Sequence, residues 1–153
     1  MKVDIIELPE RRLATVSHQG PYSKISGAFA RLGRIAGIAG LIGPSAEMLA
    51  VYHDDPNTTP APELRPEAAI TVSPGVKIPD GLGEGSIPAG RYARTTHIGP
   101  YEQLVDIWPR FMGEWLPASG HQMRDGASFE IYRNTPGEVP GEKLVTELYI
   151  AIA

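Results

Sequence analysis

"PERRLATVSHQGPY" occupies residues 9–22, and "PAGRYARTTHIGPY" occupies residues 88–101. Laid on each other at an offset of 79, they share Pro9/Pro88, Arg12/Arg91, Ala14/Ala93, His18/His97, Gly20/Gly99, Pro21/Pro100 and Tyr22/Tyr101. The likeness then becomes one of kind, with Ile25 on Leu104, Phe29 on Trp108 and Leu32 on Phe111. At an offset of 80, Tyr52 falls on Tyr132, Glu67 on Glu147 and Ile70 on Ile150. Self-similarity sustained through four segments marks a duplicated structural unit.

Each copy reads the same way. An extended stretch, "RRLATVSH" or "RYARTTH", is rich in β-branched and aromatic residues. Gly-Pro-Tyr ends it, because Gly admits unusual φ and Pro suits a helix's first turn. Ile25, Ala28, Phe29, Leu32, Ala36 and Ala39 then keep helical spacing, as do Leu104, Trp108, Phe111, Met112 and Trp115. Pro109 inside the second pattern should free the Val105 carbonyl and kink that helix. Gly27, Gly33, Gly37 and Gly40 weaken the first helix, so packing must hold it. A hairpin follows each helix: "EMLAVYHD" with "EAAITV", then "SFEIYR" with "LVTELYIAI". The expected fold is therefore α+β, a β-α-β-β module used twice with pseudo-twofold symmetry. It has an antiparallel sheet, two helices and a ligand cleft between the halves. Residues 1–153 form one domain, with a first repeat over 1–74, a second over 88–153, and a Gly/Pro-rich connector over 75–87 lacking regular structure. Its "GLGEG" follows no clear strand and opens no helix, so it is no phosphate loop.

Composition narrows the function. A chain of 153 residues, 42% apolar and 21% charged, is an ordinary globular protein. Its net charge of −4 and lack of a Lys/Arg run give nothing to draw it to nucleic acid. Zero cysteines exclude disulfides and thiol chemistry. No apolar run suits a signal peptide or a membrane span, so a cytoplasmic location is expected. No cofactor is called for. His18 and His97 have no third ligand at metal spacing, and read as turn-stabilising residues. His53 and His121 lie in or beside loops without an evident partner.

The last strand, "TELYIAI", carries the strongest chemical candidate. Alternation puts Glu147 and Tyr149 on one face, and Leu148, Ile150 and Ile152 on the other. Glu130 and Tyr132 share a face of the preceding strand. Glu147 reads either as a solvated residue on an open sheet face or as a lone acid pointing into a cleft. Trp108 and Trp115 read as core, with Trp108 able to line a cleft as well.

The duplicated module, "HIGPYEQL", "EWLPASG", "FEIYRNTP" and "TELYIAI" together resemble the GyrI-like small-molecule-binding family across essentially the whole chain. That family includes effector-binding domains of AraC-type and MerR-type multidrug regulators and free-standing DNA gyrase inhibitor proteins. The resemblance implies a pocket with Glu147 as its acid and Tyr149, Tyr132 and Trp108 among its lining groups; Glu130, which shares a face with Tyr132, joins them as a ligand-binding candidate. A carboxylate among aromatic rings favours lipophilic cations, since a bound cation offsets its desolvation. The expected activity is stand-alone binding of such compounds, with no DNA-reading domain on the chain. Two alternatives accompany it. One is hydrolysis of cyclopropane-bearing genotoxins, with Glu147 and Tyr149 as the catalytic pair and burial raising the glutamate's pKa. The other is contact with a protein partner, DNA gyrase or a regulator.

Overall fold

The computed structural model describes residues 1–153. In chain order the elements are β1 (Val3–Leu8), β2 (Arg11–Ser17), α1 (Ser26–Ile38), β3 (Met48–Tyr52), β4 (Pro66–Val72) and β5 (Gly83–Ile87). They continue with β6 (Gly90–Ile98), α2 (Leu104–Arg110), α3 (Leu116–Ser119), β7 (Ser128–Tyr132) and β8 (Val145–Ala151). Every strand pairing described below is antiparallel, as an α+β fold built from hairpins requires.

Residues 9–89 form one compact unit. Its strands lie in the order β3-β4-β2-β5. Ala28, Leu32 and Ala36 recur at helical spacing on α1 and pack onto Ala14 and Val16 of β2 and Ala68 and Ile70 of β4. Residues 1–8 join residues 90–153 in a second unit, with strand order β1-β6-β8-β7. There Leu104 and Phe111 cover Ala93, Leu148, Ile150 and Ile152. The two cores use equivalent positions, Ala14 for Ala93 and Ile70 for Ile150, so the sequence repeat is a repeat of packing.

The structure corrects the repeat in one respect. The connector over 75–87 is not wholly irregular, because Gly83–Ile87 is a strand on the edge of β2. The repeated module thus begins one strand earlier, as β-β-α-β-β. The added strands are exchanged: β1 pairs with β6, and β5 pairs with β2. Register shows the equivalence. Leu8 faces Gly90 and Arg11 faces Ile87, each the other's partner shifted by 79. The repeated arginines hold these edges, Arg91 to Glu7 at 3.4 Å and Arg12 to Glu84 at 3.0 Å. Asp4 and Arg94, directly opposite in the β1–β6 ladder, add a second pair at 3.3 Å. Glycine in β5 has a steric reason: a Cβ on Gly83 would stand 2.9 Å from Thr15 Oγ1.

The pentapeptide is now explained atom by atom. Gly20 and Gly99 take φ of 129° and 145°, which side chains disfavour. Their N–H groups donate to the carbonyls of Leu64 and Leu144, each at 2.8 Å. Pro21 and Pro100 precede short 3₁₀ turns at Tyr22–Lys24 and Tyr101–Gln103. The Tyr22 and Tyr101 hydroxyls then donate to the carbonyls of Asp54 and Asn134, tying each corner to the loop after β3 or β7. The His18 and His97 rings sit against these glycines, with Nε2 buried and unpartnered.

The second helical segment breaks as Pro109 requires. α2 ends at Arg110, a π turn spans Phe111–Trp115, and α3 resumes at Leu116 until Gly120 turns left-handed.

Candidate acid–aromatic site

The structure divides the four candidate residues carried on strands between opposite faces of one sheet. Glu130 lies opposite Leu148 and Tyr132 opposite Thr146, whereas Phe129 lies opposite Tyr149 and Ile131 opposite Glu147. Directly opposed residues share a face. Leu148 belongs to the core under the helices, so Glu130 and Tyr132 point to the helix side. Glu147 and Tyr149 point away from it. The sequence reading grouped all four around one pocket; the pleat separates them.

On the helix side, Glu130 is only 3% exposed. The indole Nε1 of Trp108 donates to its Oε1 at 2.5 Å, and the Tyr132 hydroxyl donates to its Oε2 at 2.6 Å. Both donors are neutral groups, and together they orient the carboxylate. The Tyr101 ring lies 5.4 Å from that of Tyr132. Burial pushes the Tyr101 phenol above its ordinary pKa, and the charge of Glu130 adds to this. Phe111 stands 6.0 Å from Trp108 and 5.6 Å from Trp115, extending the aromatic wall along the broken helix. Tyr101 was not singled out as a site residue. Its place at the end of HxGPY, equivalent to a tyrosine in the other copy, was the available signal.

On the other face, Glu147 is not a lone acid. Arg133 reaches its Oε1 through Nη2 at 2.6 Å and Nε at 2.9 Å, and the Tyr149 hydroxyl donates to the same oxygen at 2.7 Å. Burial would raise the Glu147 pKa, but the hydrogen bonds from Arg133 and Tyr149 outweigh it and hold the carboxyl below its ordinary range. This reverses the upward shift expected for a catalytic donor. Tyr149 is driven up to about 12, first by burial and then by Glu147. Around neutrality the pair is carboxylate plus phenol, so neither group is tuned toward proton transfer there. Tyr149 also stacks on Phe129 with centroids 4.6 Å apart, both rings buried.

The first copy has the same hairpin pairing, with a titratable histidine in the arginine's place. His53, equivalent to Arg133, lies 2.5 Å from Glu67, so it has a partner that its loop position did not reveal. It has no counterpart of Glu130, since Ala50 occupies that place. The acid–aromatic cluster is therefore a property of the second repeat alone. His121 stacks on Trp115 at 6.0 Å.

The duplicated α+β unit is the architecture of a small-molecule-binding domain. The chain belongs to the GyrI-like family, whose description is "GyrI-like small molecule binding domain" and whose model matches residues 1–153. A "DNA gyrase inhibitor" from Erwinia billingiae (strain Eb661) is 34% identical, covering 100% of this chain and 98% of that one. The C-terminal domain of EcmrR shares the fold with a TM-score of 0.81 at 19% identity, over 99% of this chain and 97% of the other. SAV2435, solved bound to tetraphenylphosphonium, shares it with a TM-score of 0.71 at 15% identity, over 100% and 94%. No helix is long and apolar enough to cross a membrane.

Proposed function

We propose that this protein binds small lipophilic organic cations at Glu130, with Trp108, Tyr132 and Tyr101 as the aromatic walls. One observation carries the reading: a carboxylate 3% exposed, held by an indole N–H and a phenol O–H. Keeping such a group ionised costs desolvation energy, and an incoming cation offsets it. Each ring presented to that cation adds roughly 0.5–2 kcal/mol. The tetraphenylphosphonium in SAV2435 supports the choice of guest, because that protein shares this fold. Access requires Trp108 to swing aside. It sits on a helix interrupted by Pro109 and a π turn, where the hydrogen-bond ladder is weakest.

Titration of tetraphenylphosphonium by tryptophan fluorescence tests this. Glu130→Gln keeps an amide oxygen for the same donors, so packing survives while the charge goes. Affinity is expected to fall about tenfold or more in Glu130→Gln, and to stay within about twofold in Glu147→Gln. The opposite ranking moves the site to the other face, and equal affinities in all three proteins remove the carboxylate from the account. The name of the Erwinia relative supports a second reading, contact with DNA gyrase. A supercoiling assay with excess protein and no inhibition would dispose of it.

A further inference from the structure

On the helix side of β6, β8 and β7, register sets out the polar groups row by row. Glu130 lies opposite Leu148, and Tyr132 lies opposite Thr146, which in turn lies opposite His97. Thr146 is therefore the diagonal neighbour of Glu130 on one face, at the backbone spacing of roughly 7–8 Å that long side chains bridge. It is fully buried, and its Oγ1 makes no hydrogen bond to any group of the protein. A buried hydroxyl in that state costs free energy, as a buried carboxylate does. The other repeat carries neither cost. Its hairpin has the same register, Tyr52 opposite Pro66 and Ala50 opposite Ala68, so Pro66 stands in the place of Thr146 and Ala50 in that of Glu130. Hydroxyl and carboxylate occur together in one copy and are both missing from the other. His97 Nε2 is also buried and unpartnered, but so is His18 Nε2, and each ring lies against its own HxGPY glycine. That nitrogen belongs to the corner, whereas Thr146 Oγ1 has no counterpart.

We propose that Thr146 selects the guest of the Glu130 site, its hydroxyl accepting an N–H, so that lipophilic protonated amines are preferred over fully substituted ammonium and phosphonium ions of similar bulk. This selection presupposes that Glu130 is the cation site. Charge draws either kind of cation to the carboxylate, and the aromatic walls hold either. Only a cation bearing N–H groups makes directed, charge-assisted hydrogen bonds, and one such nitrogen can donate to Glu130 and to Thr146 together. A quaternary ion turns only C–H groups toward the hydroxyl and leaves it unsatisfied.

Two guests of one skeleton test it: 3,3-diphenylpropylamine and its N,N,N-trimethyl derivative. Both are titrated by tryptophan fluorescence into wild type, Thr146→Val, Thr146→Ser and Glu130→Gln. Valine keeps the branched shape of threonine, and it removes a hydroxyl that has no partner in the free protein. Thr146→Val should therefore melt at or above the wild-type temperature. In that variant the amine is expected to lose about fivefold in affinity and the quaternary ion less than about twofold. Thr146→Ser keeps the hydroxyl and should keep the amine's advantage. Glu130→Gln should weaken both guests. If Thr146→Val acts equally on the two guests, or on neither, while Glu130→Gln still weakens both, the selection is overturned and the cation site stands. If Glu130→Gln changes neither guest, both are overturned. A marked drop in the melting temperature of Thr146→Val would show that the hydroxyl is bonded in the free protein, and an amine advantage lost in Thr146→Ser would show that shape sets the preference; either result overturns the proposal.

Discussion

One substitution between the repeats, His53 for Arg133, makes one hairpin sensitive to pH near neutrality, where the other holds a non-titrating cation. His53 is raised above 6.5, first by its hydrogen bond to Glu67, with burial opposing. Asp54 and Arg65 also face it, with opposite effects. Glu67 is lowered below 4.5, chiefly by the same bond. A raised histidine contributes stability that is fully present below its unfolded value and lost as pH rises through its folded one. The lowered glutamate contributes above 4.5, and that part is lost as pH falls through its folded value. Between about pH 6 and about pH 8, the wild-type melting temperature should therefore decline relative to His53→Arg, which carries the non-titrating cation of the other copy. Parallel melting curves for the two proteins would show that the pair contributes nothing. Legibility at this scale was uneven for a physical reason. Alternation along β8 correctly placed Glu147 and Tyr149 on one face, because a strand's period is local. Whether Glu130 shares that face depends on cross-strand register, and no pattern within a single strand records it. Ion pairing is likewise non-local: Arg133 and Glu147 are 14 residues apart and meet only because the hairpin closes.

At the scale of elements, both helices are intrinsically poor, and each is held in its own way. α1 carries Gly27, Gly33 and Gly37, yet stays helical over 13 residues because Ala28, Leu32 and Ala36 bury one stripe. Those glycines were legible as a weakness. The structure shows that two of them, Gly27 and Gly33, serve no close approach: a Cβ on either would meet nothing within 4 Å. Gly33→Ala should thus stabilise the protein by about 1 kcal/mol, and Gly27→Ala, near the helix start, by less. Urea unfolding measures both. A loss of stability at Gly33 would mean that the position is crowded in a way the packing does not show. The second segment differs in kind. Pro109 announced the break, but not the π turn that follows, since a proline removes a donor without dictating how the chain recovers. That break sits between Trp108, which touches Glu130, and Trp115. On the proposed function, the interruption next to Glu130 is where the helix gives way to a ligand, whereas Ala50 takes the place of Glu130 in the first repeat.

For the whole molecule, the decisive feature is the exchange of edge strands. Sequence comparison recovered the β-α-β-β part of each repeat, since those segments keep matching residues. It stopped at Pro9 and Pro88, although Leu8-Pro9 and Ile87-Pro88 continue the alignment by one apolar residue. β1 and β5 otherwise share nothing in sequence, because an edge strand makes half the contacts of an internal one and is correspondingly free to vary. "GEGSI" accordingly passed for a connector. The exchange has a consequence that sequence order would invert. Residues 1–8 precede the first repeat, yet their ladder partners are Gly90–Thr95 of the second. Removing them strips β6 of one of its two neighbours, along with the Glu7–Arg91 and Asp4–Arg94 pairs. It takes no ladder partner from β2, which remains between β4 and β5. Hydrogen exchange on a chain lacking residues 1–8 should therefore show lost protection in alternate amides of Arg91–Thr95, while Arg12–Ser17 stays as protected as in the intact protein. Truncation that loosened β2 before β6 would contradict the pairing. The selective result would mean that the N-terminal strand stabilises the repeat carrying Glu130, so that ligand binding and the chain's first residues are energetically linked.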